Sequence, residues 1–324
     1  MPSIHIRKGW EIPERQATPE HVYWDRRRVL KALGFLGLGA ASGILPGCDL
    51  IATGDPVATG VQEKPPVADR YPAPRNRRYS LDRPLTPELI AASYNNFYEF
   101  SSGKKLWNLS ARLTTHPWQV EIAGLVPRPR IYDVAALIRQ MPLEERLYRF
   151  RCVEAWAMAV PWTGFPMRAL IKLVEPLSAA RYVRFTTFHR PKEASRQGDR
   201  DYPWPYTEGL TRAEAMNALT LLVTGIYGHP VPKQHGAPLR LITPWKYGFK
   251  SAKSIVRIEF TAEQPATFWN TLAPDEYDFW ANVNPSVPHP RWSQARERMI
   301  DTGEYRPTLL YNGYREWVAE LYRV

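Results

Sequence analysis

The chemistry-bearing stretch of this chain is Arg149-Phe150-Arg151-Cys152-Val153-Glu154-Ala155-Trp156. The only other cysteine, Cys48, lies at the end of an apolar N-terminal segment, so a disulfide does not account for Cys152. A lone thiolate is a soft metal ligand, or a nucleophile if one of the seven histidines supplies a base. The alternative is a buried structural cysteine that acts as a small hydrophobe.

Two further stretches invite a ligand. Tyr94-Asn95-Asn96-Phe97-Tyr98-Glu99-Phe100 crowds aromatic and amide side chains without helix or strand periodicity. Buried amides need partners, and a heterocyclic ligand is one; a turn with Asn in its usual place is the other. Pro244-Trp245-Lys246-Tyr247-Gly248-Phe249-Lys250-Ser251-Ala252-Lys253 is basic, aromatic and small by turns. Such a loop can wrap a phosphate with backbone N–H groups and lysines, or it can lie on the surface with its lysines solvated.

Several chemistries are excluded. There is no Gly-x-Gly-x-x-Gly for a nicotinamide site, no Cys-x-x-Cys for zinc or a redox dithiol, and no His-Glu-x-x-His. The net charge of +11 suits an anionic cofactor or a membrane face. Nucleic acid as a partner is set aside, because there is neither a long Lys/Arg run nor a recognition motif.

The elements that position these stretches are short, as 31 prolines in 324 residues require. Tyr148, Phe150 and Cys152 alternate with Arg149 and Arg151, which predicts a half-buried strand that ends at the thiol. Alternation also predicts strands at Trp118–Gly124, Arg181–Phe188, Leu219–Gly225 and Leu241–Thr243, with Ser254–Phe260 as the final one. Helices are expected from Thr86-Pro87-Glu88, over Ile131–Met141, over Met167–Val174, and after the capping box Thr211-Arg212-Ala213-Glu214. Pro161–Pro166 reads as a loop, residues 189–209 as a long polar surface loop, and Gly236 with Pro238 as a tight turn. Residues 261–324 show no second core.

At the N-terminus, Arg26-Arg27-Arg28-Val29-Leu30-Lys31 precedes the apolar run Ala32–Leu45. A basic region before a short apolar one is a signal-peptide pattern, and the run is short of the ~20 residues of a membrane span. A membrane anchor with basic flanks is the alternative. The order of residues resembles the twin-arginine signal, which exports folded proteins. We expect a signal over 1–48 and an extended arm or linker over 49–84. The remainder, 85–324, is expected to form one catalytic domain without a separate dimerisation domain. Leu45-Pro46-Gly47-Cys48 offers lipidation of Cys48 as a minor alternative to plain cleavage.

Phe150–Met158, with Tyr94–Phe100 before it and Pro244–Lys250 after it, closely resembles the catalytic subunits of periplasmic protein-methionine-sulfoxide reductases. These are molybdoenzymes of the sulfite-oxidase fold group. The resemblance runs from about Tyr79 to the C-terminus. It implies an α+β molybdopterin-binding fold of mixed sheets, short helices and long loops. It also implies a molybdenum atom held by one pyranopterin dithiolene and by the thiolate of Cys152. Asn96 and Glu154 match positions beside the metal. Asn95, Tyr98, Glu99, Thr187, His235, Arg240, Ser251, Ala252 and Lys253 match the pterin contacts. His235 departs from the pattern, since relatives carry Asn there, but imidazole can still donate a hydrogen bond to a pterin or phosphate oxygen.

The implied reaction returns methionine sulfoxide in oxidised envelope proteins to methionine, with the oxygen leaving as water after two electrons and two protons arrive. The implied electron donor is a haem-binding membrane subunit (MsrQ-like), which makes this chain the monomeric catalytic subunit of a heterodimer in the periplasm. Sulfite oxidation, or reduction of another small S- or N-oxide on the same metal, is the alternative within the fold. A non-enzymatic envelope module that uses its Trp and Tyr as ligand platforms is the alternative outside it. Replacing Arg26 and Arg27 together by Lys should leave the protein folded in the cytoplasm; normal export of that variant in a fractionation assay would refute the twin-arginine route.

Overall fold

The computed structural model describes residues 65–322. The expected signal with Arg26, Arg27 and Cys48, and the first part of the expected arm, lie outside the described residues.

The alternating segments form two sheets. In the first, β1 (Gln119–Gly124) runs antiparallel to β2 (Arg130–Asp133). The second sheet is built on β3 (Glu144–Arg151) and the eleven-residue β4 (Trp156–Pro166), paired antiparallel from Glu144–Gly164 to Arg151–Ala157. The chain then gives β5 (Tyr182–Thr187) and β6 (Thr207–Thr211) to the first sheet. It returns to the second with β7 (Leu221–Ile226), β8 (His229–Pro230) and β9 (Arg240–Ile242). β10 (Ile255–Thr261) lies between β1 and β5 and completes the order β2-β1-β10-β5-β6. β11 (Arg296–Met299) joins the start of β4 in parallel and carries β12 (Tyr305–Pro307) on its far side. The expected α+β architecture is the one observed.

Val120, Ile122, Val183, Phe185, Ile258 and Phe260 form one core with the helices Val134–Gln140 and Met167–Val174. Tyr148, Trp162, Val223, Ile242 and Trp245 form a second core. β4 and β7 lie between the two, since Trp162 and Val223 face one core while Phe165 and Leu222 face the other. Residues 65–84 hold a single 3-10 turn, Ala68–Arg70, and are anchored by Tyr71, whose hydroxyl bonds Thr224 Oγ1 at 2.7 Å, and by buried Tyr79.

Several expectations are corrected. Pro161–Pro166 is not a loop but the second half of β4, every residue of it buried. A strand covered on both faces shows no alternation, and its prolines imitate a turn. Ile131 belongs to β2; the helix begins at Val134, where Asp133 caps it by accepting from the Ala136 N–H at 2.9 Å. The 189–209 segment is not all surface loop. Its Gln197 is buried and bonds Phe188 O at 2.7 Å, and β6 starts at Thr207. Ser254–Phe260 is not the last strand, because β11 and β12 follow.

The largest correction concerns charge. β3 is not half-buried with its arginines in water: Arg146 and Arg151 are fully buried, and only Arg149 stays partly exposed. Nor are Lys246 and Lys250 solvated or free for a phosphate. Lys246 is buried against Glu214, and Lys250 against Glu208 at 3.0 Å. Removing one member of a buried pair leaves the other uncompensated, at about 3–5 kcal/mol. Lys250→Met should therefore lower unfolding stability in denaturant by that order, and Lys250→Met/Glu208→Leu should recover most of it. A loss in the single variant under about 1 kcal/mol would show that the pair is not compensated as described.

Candidate functional site

Cys152 sits in the hairpin turn between β3 and β4. The turn is closed by the Cys152 N–H donating to Trp156 O at 2.9 Å and the Ala155 N–H donating to Cys152 O at 3.1 Å. Ala155 adopts the left-handed region (φ 63°), a strained choice for a residue with a Cβ. The turn persists because it is tied from outside. Trp292 Nε1 and Gln294 Nε2 each donate to Val153 O at 2.7 Å. Buried Arg151 donates to Cys152 O and to Gln294 Oε1 at 2.8 Å, and pairs with Glu297 at 3.3 Å.

Four segments close around the thiol to make one cavity. From Tyr94–Glu99 come Asn95, Asn96, Tyr98 and Glu99; from the turn come Cys152 and Glu154. From the 3-10 turn before β9 comes His235, from the first residue of β9 comes Arg240, and from the loop before β10 come Ser251, Ala252 and Lys253. Of the twelve residues singled out in the sequence, eleven line this cavity. Thr187 does not; its hydroxyl reaches Glu99 Oε1 at 3.4 Å, which places it one hydrogen bond behind the wall. Two glycines permit the close approach. A Cβ on Gly236 would stand 2.6 Å from Lys253 Cβ in a backbone already at φ +95°, and one on Gly248 would stand 2.6 Å from Phe150 Cζ.

At the thiol, Asn96 Nδ2 donates to Cys152 Sγ at 3.4 Å, and the Glu154 N–H donates to it at 3.5 Å. Glu154 Oε2 lies 3.9 Å from Sγ. Burial, and then the Glu154 charge, push the Cys152 thiol up to about 12. Burial alone would raise Glu154 as well, but the Lys104 ammonium and the Trp156 indole N–H (3.0 Å) hold its carboxyl below the usual range.

The opposite wall is cationic and under-paired. Burial lowers Arg240 to about 9. Burial, and then the charges of Lys253 and Arg240, push His235 well below its ordinary value, so it is neutral; burial, and then the Arg240 charge, push Lys253 well below its own. Arg240 gives two of its nitrogens to His235 O (2.7 Å) and Ser251 O (3.4 Å), while its buried Nε and the buried Ser251 Oγ have no partner among the described residues. Buried donors are normally satisfied, so a donor-rich, cation-rich wall without acceptors matches an acceptor-rich, anionic ligand. A pterin with its phosphate is such a group, and the thiol opposite is a soft ligand for a metal that the group carries. The residues present fit the molybdopterin group.

Sequence reading missed Lys104, which bonds both Asn96 and Glu154, and the aromatic wall of Trp156, Tyr206, Phe249, Trp269 and Tyr277. Lys104 follows the Tyr94–Phe100 stretch within Ser101-Ser102-Gly103-Lys104-Lys105, where nothing in the local pattern separates it from a solvated lysine. Trp292, Gln294 and Glu297 were missed because they reach the turn from some 140 residues away.

Comparison with known proteins gives three findings. Residues 108–269 match the family described as oxidoreductase molybdopterin binding domain. The protein-methionine-sulfoxide reductase catalytic subunit MsrP of Burkholderia mallei (strain ATCC 23344) is 48% identical over 320 residues, covering 97% of this chain and 94% of that protein. Among solved structures, the sulfane dehydrogenase SoxCD of Paracoccus pantotrophus superposes with a TM-score of 0.44 at 13% identity, over 68% of this chain; the match spans 57% of that chain.

Proposed function

We infer the function from membership: this chain belongs to the family of protein-methionine-sulfoxide reductase catalytic subunits, MsrP, within the molybdopterin-binding oxidoreductases. It is an oxidoreductase that reduces methionine sulfoxide in proteins to methionine. The overall change consumes two electrons and two protons and releases the sulfoxide oxygen as water. The cofactor, when bound, supplies the oxygen-atom and two-electron chemistry; the protein binds and orients.

We assign Cys152 Sγ as the protein's ligand to molybdenum. Its raised pKa means that ligation displaces a proton, as metal binding to a thiol does. Arg240, Lys253, His235 and Ser251 would hold the single pyranopterin and its phosphate, with Asn95, Tyr98, Glu99 and Ala252 completing the cradle and Thr187 steadying Glu99. Asn96 and Glu154 stand beside the metal position. Solvent reaches this end past Lys104 and Glu154, whose side chains are 22% and 29% exposed.

The observation that carries the sulfoxide reading over sulfite oxidation is the Glu154 carboxylate at 3.9 Å from Cys152 Sγ, beside aromatic walls. A fixed negative charge there repels sulfite, whereas a neutral sulfoxide with its methyl group suits the aromatic surface. Among the described residues Arg240 is the only arginine in the cavity wall; Arg151, which adjoins Cys152, is turned away to Glu297. A second cavity of about 490 Å³ shares Val153, Phe249 and Tyr277 with the first, and carries Trp280, Asn282 and Asn284. That surface gives room for the polypeptide on either side of a sulfoxide.

The finer assignments belong to the same proposal: a haem-bearing membrane subunit as electron donor, oxidised envelope proteins as clients, and a periplasmic site reached by the twin-arginine route. No helix of the described residues is long and apolar enough to cross a membrane. Protein made in a host that assembles the cofactor should contain molybdenum and reduce both free and protein-bound methionine sulfoxide with a reduced viologen as donor. Sulfite-dependent reduction of an electron acceptor without sulfoxide turnover would overturn the assignment in favour of sulfite oxidation, and metal-free protein would remove both.

A further inference from the structure

We propose that Lys104 is a positioning residue of this site: it fixes the direction in which the Asn96 amide and the Glu154 carboxylate face the Cys152 sulfur. The proposal rests on the reading of Cys152 as the metal ligand.

Lys104 is not in the cavity wall; it acts from behind two residues that are. Its Nζ bonds both Asn96 Oδ1 and Glu154 Oε2. An ammonium has donors only, so the Asn96 oxygen must turn towards it. The amide nitrogen is thereby forced the other way, where it donates to Cys152 Sγ and to Glu154 Oε2, each at 3.4 Å. Without Lys104, only the long 3.4 Å contact to Glu154 Oε2 is left to hold the amide nitrogen on the side of the sulfur. The carboxylate is set in the same manner, because Glu154 Oε2 takes Lys104 Nζ on one side and Trp156 Nε1 at 3.0 Å on the other. Lys104 is itself anchored through its backbone, with its carbonyl accepting from the Asn95 N–H at 3.0 Å. One cation thus orders the whole polar edge of the site.

Two consequences for a metal bound to Cys152 have the same sign. A hydrogen bond donated into a thiolate withdraws electron density from it, and such contacts tune the metal behind the ligand. Losing the fixed amide donor makes the sulfur a stronger donor, which lowers the metal's reduction potential. Losing the ammonium also leaves the Glu154 carboxylate uncompensated 3.9 Å from the sulfur, and a nearby negative charge lowers the potential again.

The test uses molybdenum-loaded Lys104→Met beside the wild type. Metal content and thermal midpoint establish that the variant is folded and loaded; reduction potential and the electron paramagnetic resonance signal of the half-reduced metal are then compared. The proposal expects a lower potential and a shifted signal at wild-type metal content. An unchanged potential and signal overturn it. If the single variant is too unstable to purify loaded, Lys104→Met/Glu154→Gln, which removes both charges, is compared with Glu154→Gln. A further signal shift in the double variant supports the proposal through Asn96, and identical signals overturn it. These readouts need no substrate, so a wild type that carries molybdenum but turns over no sulfoxide would defeat the functional assignment while the position of Lys104 is still decided.

Discussion

The site depends on the burial of Arg151 directly before the thiol. A guanidinium with no exposed surface survives only if its charge is compensated, and here Glu297 balances the charge at 3.3 Å while Gln294, Thr308 and the Cys152 carbonyl accept from its terminal nitrogens. That cluster fastens the tip of the β3–β4 hairpin to the C-terminal segment, which lies more than 140 residues away in the chain. With Trp292 and Gln294 holding Val153 O, it lets Ala155 keep a left-handed backbone that a free hairpin would relax. The sulfur's place in space is therefore set by long-range polar contacts more than by the turn's own propensity.

Around that fixed point the charges are arranged by function. Lysines that resemble ligand contacts in sequence, Lys246 and Lys250, are spent on Glu214 and Glu208, and they brace the loop that presents Ser251, Ala252 and Lys253. Among the described residues Lys253 and Arg240 have no carboxylate partner within salt-bridge distance, and Lys253 instead donates to Asn96 O and Gln234 O. Burial depresses the pKa of both, and the Arg240 charge depresses Lys253 further. Positive charge kept buried without a carboxylate is costly unless something anionic is to bind. On the thiol side the carboxylate of Glu154 reverses the sign, so one cavity offers a cationic cradle at one wall and a neutral-seeking, aromatic mouth at the other.

Much of this was legible in the sequence because it is local. The strand running up to Cys152, the helix Met167–Val174 and the Thr211 capping box follow from period and spacing, and the three motif stretches carried the family resemblance. What was not legible is non-local. β4 hid its second half because both faces are buried and two prolines interrupt it. Arg151 read as the open side of a half-buried strand, and Lys246 and Lys250 as either phosphate contacts or solvated lysines, because the carboxylate that pairs with each is far along the chain. Lys104 looked like any surface lysine for the same reason. Thr187 shows the converse limit: a position matched by resemblance stands behind the wall, where its hydroxyl meets Glu99 rather than the cavity.

The central claim is that Cys152 gives the protein's own sulfur to molybdenum in a cavity shaped for one dithiolene. Molybdenum K-edge absorption spectroscopy of the loaded protein counts sulfur neighbours directly. The account predicts one sulfur more in the wild type than in Cys152→Ser at equal metal content, with the lost sulfur replaced by a lighter scatterer. An identical sulfur count in the two proteins would contradict it, and would return Cys152 to the role of a buried structural residue.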